Sequence, residues 1–488
     1  MSTTNIFNTH HSDYDDTIDA VKTVRDTIEG SNRIKTGPRA EKYLPDPYGC
    51  GDKEIDQRTG LSERYGVYKA RAEYDNFPGK TLSSYLGSIN AIPPSVEEIP
   101  PEVDYLIDNS DGNSTPLTES IEMTQSNLLQ VKFHGLLSDF NGLSDTDVAM
   151  TRLQAQEIGL LSTIKHYPRE SIIDWEFSSA NGKIQLTFVK LAESVSEIDK
   201  TTYNRVETEN QLILSLDGNG QYNQRQVTKD KKGNEVVSEA LYPENRGGKM
   251  DFIPFCFVID QKSESFSIPR GLGLVYPISL KAISRYQVNA DLKESLHEGA
   301  SPTSYSSGWT EAKWNLYKKM TGRSSIALGV RAHNPLPEGS VFDFAQWNAN
   351  DNGLFKYMDE NQKEAKALGA RFDTSDARDE AVGVAEIRSA EEQAAFINIQ
   401  TSVESAYKKV VLWCFWFMAT GTEDPEIDIK LNKDFTEIKL SAQEQAEIRN
   451  NVQFGIFDRE EGLRQLQLGG VLTETATALL DRLERNGL

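Results

Sequence analysis

The sequence has few cysteines, no long apolar run and no excess of positive charge, and each shortage removes a class of function. Only Cys50, Cys256 and Cys414 occur in 488 residues. They form no CxxC pair and their number is odd, so neither a disulfide framework nor a zinc knuckle is expected, which fits a reducing cytosol. The most apolar run, VVLWCFWFMATG at 410–421, has 12 residues. That is short of the roughly 20 a membrane helix needs, and it reads as a buried helix end, with no membrane partner. No basic stretch followed by an apolar one opens the sequence, so no signal peptide is expected. Lysine and arginine number 52 against 74 acidic residues, a formal charge of −22. A protein that wraps nucleic acid gains affinity from positive charge. A tight DNA binder is therefore disfavoured, whereas a channel that DNA must slide through without sticking is not.

Catalytic motifs are also missing. GGK at 247–249 comes nearest to a phosphate loop, but its first glycine would fall at Pro243, and Met250 follows Lys249. There is no GxSxG elbow and no HExxH. The histidines, at 10, 11, 134, 166, 297 and 333, are scattered; His297 near a helix end reads as structural. With 74 carboxylates any pair is uninformative. Asp217-Gly218-Asn219-Gly220 lacks the 12-residue calcium-loop pattern and reads as a hairpin turn. The expectation is a non-enzyme with no catalytic, cofactor-binding or metal residues and no cofactor.

What is present is a globular composition, 26% charged and 38% hydrophobic, long enough for two to four domains at roughly 150 residues each. Residues 12–30 read as a helix capped by Ser12 or Asp13 and stopped by Gly30. A helical stretch at 62–90 is broken at Pro78-Gly79, and the Pro/Glu-rich 92–103 reads as a boundary or spacer. Residues 117–165 look helical, with a break at Asn141-Gly142. From 172 the apolar period becomes two, with turn signals at Asn181-Gly182, Asp217–Gly220 and Lys232-Gly233, which predicts an antiparallel meander that 251–260 closes. A long helix follows from Pro277 to Glu298 and ends at Gly299. Residues 300–345 are mixed, with a strand-like IALGV at 326–330. A second helix is expected at 353–371, then a charged stretch at 372–384. The longest helix, about 384–420, has apolar residues at Ile387, Ala390, Ala394, Ile397, Val403, Ala406, Val410, Trp413 and Phe417, one buried face interrupted by a single step of six. A strand at 426–431 and small helices over 441–488 complete an α+β pattern.

Several blocks, in order, resemble the portal proteins of tailed bacteriophages, in the branch catalogued as a domain of unknown function. They are VRDTIEGSNRIK…EKYLP (24–45), YKARAEYDN…KTLSSYLGSI (68–89), HYPRESIIDWEF (166–177), YPISLKAISRYQVNADLKESLHEGASPT (276–303), LPEGSVFDF (336–344), and EIRSAEEQAAFINIQTSVESAYKKVV (386–411) with NKDF (432–435). The fourth is the most specific, through Tyr286, Asn289-Ala290-Asp291 and Leu296-His297. Arg285 stands where the family often has histidine.

The resemblance implies a portal fold. Its N-terminal region and wing would span 1–273, with the hairpin meander at 172–260. Stem helices would lie at 274–298 and 350–371 around a small α/β clip at 299–349. A channel loop at 372–384, a long wing helix and strand at 385–440 and a helical crown at 441–488 would follow. It implies a ring, a dodecamer, at one capsid vertex of the virion, assembled in the host cytoplasm. Genomic double-stranded DNA would be packaged and ejected through it without sequence specificity. Implied partners are identical subunits, the major capsid protein, the terminase large subunit during filling and the head-tail adaptor afterwards.

On that plan Asp373, Asp376, Arg378, Asp379, Glu380 and Gly383 form the channel loop. Lys356, Lys363, Lys366 and Arg371 are channel-facing basic candidates, although lysines here can also form i,i+4 pairs with Glu360 and Glu364. Trp309, Trp314, Tyr317, Lys318 and Lys319 are clip docking candidates. The alternatives are another virion component, an adaptor or scaffold, or a hydrolase with unrecognised carboxylates.

Overall fold

The computed structural model describes residues 6–47, 64–140, 161–180, 183–198, 203–229, 233–245, 248–260, 271–300, 303–328, 333–345, 351–372, 382–419, 423–435, 442–454 and 459–468. The fold is α+β with antiparallel sheets. No helix among the described residues is long and apolar enough to cross a membrane.

A three-stranded antiparallel sheet has the order Phe255–Ile259, Phe133–Phe140, Ser162–Pro168. Its middle strand corrects the helical reading of 117–165: the helix stops at Val131, where Lys132 caps it in the left-handed region. Seven of the eight strand residues are buried, so the alternation that marks a half-exposed strand is absent. Leu136 packs toward the long C-terminal helix, while Phe133 and Leu137 pack toward a second sheet. Gly135 lets the two sheets approach, since a Cβ there would lie 2.4 Å from the Phe255 ring and 2.7 Å from Ile172 Cδ1.

That second sheet is the meander. Strands Ile172–Ala180, Lys183–Ile198, Arg205–Leu216, Tyr222–Lys229 and Glu235–Val237 lie side by side in chain order. The Asp217 turn is a hairpin turn: Asp217 Oδ1 accepts the N–H groups of Asn219 and Gln221 at 2.8 and 2.9 Å, and Gly220 takes φ +75°. The stretch 251–260 does not close the meander. Its strand Phe255–Ile259 pairs with Phe133–Phe140 instead.

The helix Val382–Met418 lies on the other face of the central sheet with the helix Leu117–Val131. Its buried face runs through Phe396, Ile399, Val403, Tyr407, Val410 and Cys414. Of the face expected from the sequence, Val403, Ala406, Val410 and Trp413 are buried, but Ala394 and Ile397 are exposed, Ile397 by 40%. Ile387 and Ala390 have side chains outside the described set. Each such aliphatic or aromatic side chain contributes about 1.5–3 kcal/mol by burial. Polar contacts fix the register: Ser138 donates to Val410 O at 2.9 Å, Ser162 to Cys414 O at 3.1 Å, and Gln125 to Gln400 Oε1 at 2.7 Å. The Tyr407 hydroxyl meets Ser120 (2.8 Å) and Thr124 (3.0 Å). Ser120 reaches His166 Nε2 (2.7 Å), and His166 Nδ1 reaches His134 Nε2 (3.0 Å).

Other boundaries shift. The first helix, Ser12–Glu29, is capped by His11, whose side chain accepts from Asp13 N, and not by Ser12 or Asp13. The stretch 62–90 holds helices Arg64–Arg71 and Phe77–Ile89, so the break precedes Pro78. Pro78 sits in a first turn, where its missing N–H costs nothing. The supposed spacer at 92–103 holds the strand Ser95–Glu98, paired with Asp428–Lys430, and a 3-10 helix at Pro101–Ile107. Toward the C-terminus, Ala442–Gln453 and Arg459–Leu468 are helical.

Candidate functional site

The sequence singled out the segment around 276–418, and there the structure places a helix pair bracketing a small α/β insertion. The first helix is Val275–Ala300. Ile278, Ala282, Tyr286 and Ala290 recur every four residues and are all buried. Two small alanines beside Tyr286 let the helices Ser12–Glu29, Arg64–Arg71 and Phe77–Ile89 come close, with Tyr43, Tyr65, Tyr68, Tyr74 and Phe77 filling the contact.

The Asn289-Ala290-Asp291 motif is the polar side of this docking. Asn289 Oδ1 accepts from Glu73 N at 2.8 Å, and Tyr68 donates to Asp291 Oδ1 at 2.6 Å. Lys293 pairs with Glu73 at 2.9 Å, and Arg71 pairs with Glu294. The motif thus anchors the helix to the N-terminal region. Sequence reading found the motif but not this role, because the partners lie more than 200 positions away.

Burial pushes the Tyr286 phenol up to about 12, and its hydroxyl has no hydrogen-bond partner among the described residues. Tyr286→Phe is therefore expected to leave stability unchanged or raise it by up to about 1 kcal/mol, since it removes a buried unsatisfied group. A urea midpoint lower than that of the unsubstituted chain would show that the hydroxyl is satisfied in solution.

The second helix, Asp351–Ala367, runs antiparallel to the first: Tyr357 meets Ser284 (2.7 Å), Arg285 donates to Met358 O (3.0 Å), and Asn361 donates to Lys281 O (3.3 Å). Arg285, the departure from the family pattern, also lies 3.8 Å from Asp75, so it ties the helix pair to the N-terminal region.

The second helix ends earlier than the expected 371. The Gly369 and Ala370 N–H groups close onto Lys366 O (3.0 Å) and Ala365 O (2.9 Å), with Gly369 at φ +93°. This is a Schellman termination, which favours glycine at the left-handed position. Residues 369–372 are then pinned. Tyr85 donates to Gly369 O at 3.2 Å, Arg371 N donates to Thr81 Oγ1 at 2.9 Å, and Phe372 lies 4.7 Å from Phe77, ring to ring.

Of the channel-loop candidates, Asp373, Asp376, Arg378, Asp379 and Glu380 lie outside the described residues. Gly383, expected in that loop, belongs to the first turn of the long helix, which begins at Val382. The basic candidates do not form one cluster. Lys356 lies 3.9 Å from Glu360, the i,i+4 arrangement, and Arg371 is 3.0 Å from Glu392. Lys363 is exposed and Lys366 half-buried. Glu364 pairs with Lys281, across the helix pair.

In the insertion, strands Thr303–Ser307 and Val341–Ala345 pair antiparallel, and the helix Glu311–Thr321 packs with them. The expected strand at 326–330 is absent over 326–328; 329 and 330 are not described. Tyr317, expected on the docking surface, is fully buried. Its hydroxyl donates to Asn334 Oδ1 at 2.9 Å, and its ring stacks on Trp314 at 5.4 Å. The ring is needed inside because so small a unit has few other apolar side chains to fill its centre. Trp309 and Trp314 are half-buried; Trp309 Nε1 donates to Val341 O at 3.1 Å. Both border an open cavity of about 600 Å³ shared with Leu328 and Phe342. Lys318 and Lys319 are exposed, Lys318 over the Trp314 ring at 5.8 Å.

About half of the large apolar side chains that stay exposed among the described residues fall between Leu280 and Ile397. Single exposed apolar residues are ordinary; only where they form a contiguous patch do they mark a surface that meets a partner, a ligand or a membrane.

A family model described as a domain of unknown function, DUF4055, matches residues 278–418. No curated protein matches the chain. Among solved structures, the chain is similar to one from the virion of a native gene transfer agent particle (11% identity, 84% of this chain and 94% of that chain, TM-score 0.39). It is also similar to one from the neck of the empty particle, computed with C6 symmetry (11%, 80% and 90%, 0.42). A third is from the neck of the native particle, computed with C12 symmetry (10%, 80% and 89%, 0.38).

Proposed function

We propose that the chain is the portal subunit of a tailed-phage-like particle: one member of a dodecameric ring at a capsid vertex. DNA enters and leaves through the ring, which docks the terminase and then the head-tail adaptor. The reading rests on the sequence blocks that resemble that family and on one structural observation. An antiparallel helix pair carries an α/β insertion at its far end and leads into a 37-residue helix, in the order stem, clip, stem, wing. The span is close to the one the family model matches, 278–418.

The ring accounts for the exposed apolar residues. Leu280 and Leu296 on the first helix, Phe355 on the second and Leu368 just past its end are each more than 40% exposed. Identical neighbours meeting through a heterologous contact would cover them, and such contacts close into a ring when the rotation closes. The −22 charge of each subunit, repeated around the ring, opposes adsorption of phosphate. The 373–381 segment is proposed to meet passing DNA, and the face around Trp309, Trp314, Lys318 and Lys319 to meet the docking partners.

Negative-stain images of the purified full chain should show rings with a central hole. Leu280→Glu combined with Phe355→Glu should leave monomers of unchanged circular dichroism, because each charge would have to be buried at every contact. A monodisperse monomer of the unsubstituted chain would sink the proposal.

A further inference from the structure

The meander contains a part that the portal reading does not use. Pairing of the second strand with the first ends at Ile172 opposite Leu191, and pairing of the third with the fourth ends at Gln211 opposite Val227. The second and third strands nevertheless stay paired out to Ile198 opposite Arg205, without a bulge. Residues 192–198 and 205–210 are thus a two-stranded ribbon extending about 20 Å past the sheet at the usual rise per residue. No other strand of the described residues pairs with either of its edges.

Such a ribbon is marginal in water by itself, and an open edge invites another strand. Folds usually blunt such an edge with proline, a bulge or lysine. The paired strands of this ribbon have no proline or lysine, only Arg205 against Glu193, Glu197, Glu207 and Glu209; the connection between them adds Asp199 and Lys200. Its base is held, since Tyr167 donates to Glu193 Oε1 at 2.7 Å. Toward its tip Ile198 is 57% exposed and Tyr203 83% exposed, with Tyr203 at φ +54°. That backbone costs a non-glycine residue roughly 1–2 kcal/mol, and unfavourable conformations persist where a function uses them.

We propose that this ribbon is a docking arm that receives, by strand addition, a basic extended segment of a different protein. A second copy of this chain is disfavoured as the occupant, because like-charged ribbons placed edge to edge repel. Main-chain hydrogen bonds along the free edge supply the affinity, and alternate basic side chains over the glutamates supply the selectivity.

The test uses the full chain and a fluorescent peptide of alternating lysine and valine, read by anisotropy. Controls are a peptide of equal charge interrupted by central prolines and a glutamate–valine peptide. The expected result is binding of the lysine–valine peptide, roughly tenfold weaker binding of the proline peptide, which cannot complete the ladder, and none of the acidic one. Shortening the hairpin, with Asn-Gly in place of 195–208, should abolish binding. If that variant fails to fold, Glu197→Lys with Glu209→Lys decides, since it should weaken the lysine–valine peptide and admit the acidic one. Equal binding of the proline peptide, unchanged binding to the shortened or charge-reversed chain, or no binding at all would overturn the proposal.

Discussion

Replacing Gly369 with alanine is expected to destabilise the chain by about 2–4 kcal/mol, a sum of two causes. The first is backbone conformation: φ is +93°, where a Cβ crowds its own carbonyl. The second is space, because a Cβ built there would lie 2.2 Å from Tyr85 Oη and 2.8 Å from Glu392 Oε1. The glutamate end can swing away. Tyr85 is buried and cannot. The causes separate in a double-mutant cycle with Tyr85→Phe, which removes the obstructing oxygen. The pair should cost about 1 kcal/mol less than the sum of the single changes. Strict additivity in urea denaturation would show that the close approach is not what requires glycine. On the portal reading the same change would also release residues 369–372 from the helix Phe77–Ile89, loosening the exit of the proposed channel loop.

The second large effect is acid sensitivity. His134 is almost fully buried and His166 half-buried, with both His166 ring nitrogens engaged, by His134 and by Ser120. Burial brings His166 down to about 4, against a small opposing pull from Asp111. Burial, then His166 and Arg25, hold His134 well below its ordinary value. Both folded values lie under the unfolded value near 6.5, so the unfolded chain takes up the protons first. Stability is therefore full above about pH 6.5 and falls as pH drops toward 4, by up to about 3 kcal/mol for His166 alone. His166→Gln should flatten the decline between pH 6.5 and 4.5, a window above most carboxylate titrations. Parallel urea-midpoint curves for the two proteins would exclude His166 as the cause. The expected failure is local. Ser120 links the pair to Tyr407, so protonation strains the attachment of the long helix to the central sheet.

The meander and the helices Val275–Ala300 and Asp351–Ala367 could be read from the sequence because their signals are local. Gly218 and Gly233 punctuate hairpins with alternating strands, and the two helices hold uninterrupted helical runs between loop signals. FHGLLSDF could not be read that way. Buried on both faces, it has no period to distinguish it from a continuing helix, and its partner FCFVI lies over a hundred residues on. The period of the long helix gives the correct face at Val403, Ala406, Val410 and Trp413, but it points to Ala394 and Ile397 one stretch earlier, where Phe396 and Ile399 carry the contact. The step of six residues between Ile397 and Val403 marked the mismatch: a true face would not skip a turn. Within the candidate site, the Asn289–Asp291 motif was visible while its tyrosine and glutamate partners were not. Tyr317 was assigned outward because an aromatic beside lysines looks the same in sequence whether it docks a partner or fills a small core.

The junction around Arg371 has a consequence for engineering. Phe372 rests on Phe77, Arg371 holds Glu392 across the junction, and the long helix starts at Val382. The N-terminal end of the intervening nine residues is therefore held by contacts that do not depend on those residues, and Arg371 ties it to Glu392 on the helix that follows. In a flexible connection, extra length adds only closure entropy, about 0.6 kcal/mol for each doubling. A peptide tag inserted after Asp376 should leave the melting temperature nearly unchanged. On the portal reading, that makes the same position an address inside the ring, where a fluorophore or a bulky graft could be placed without rebuilding the subunit.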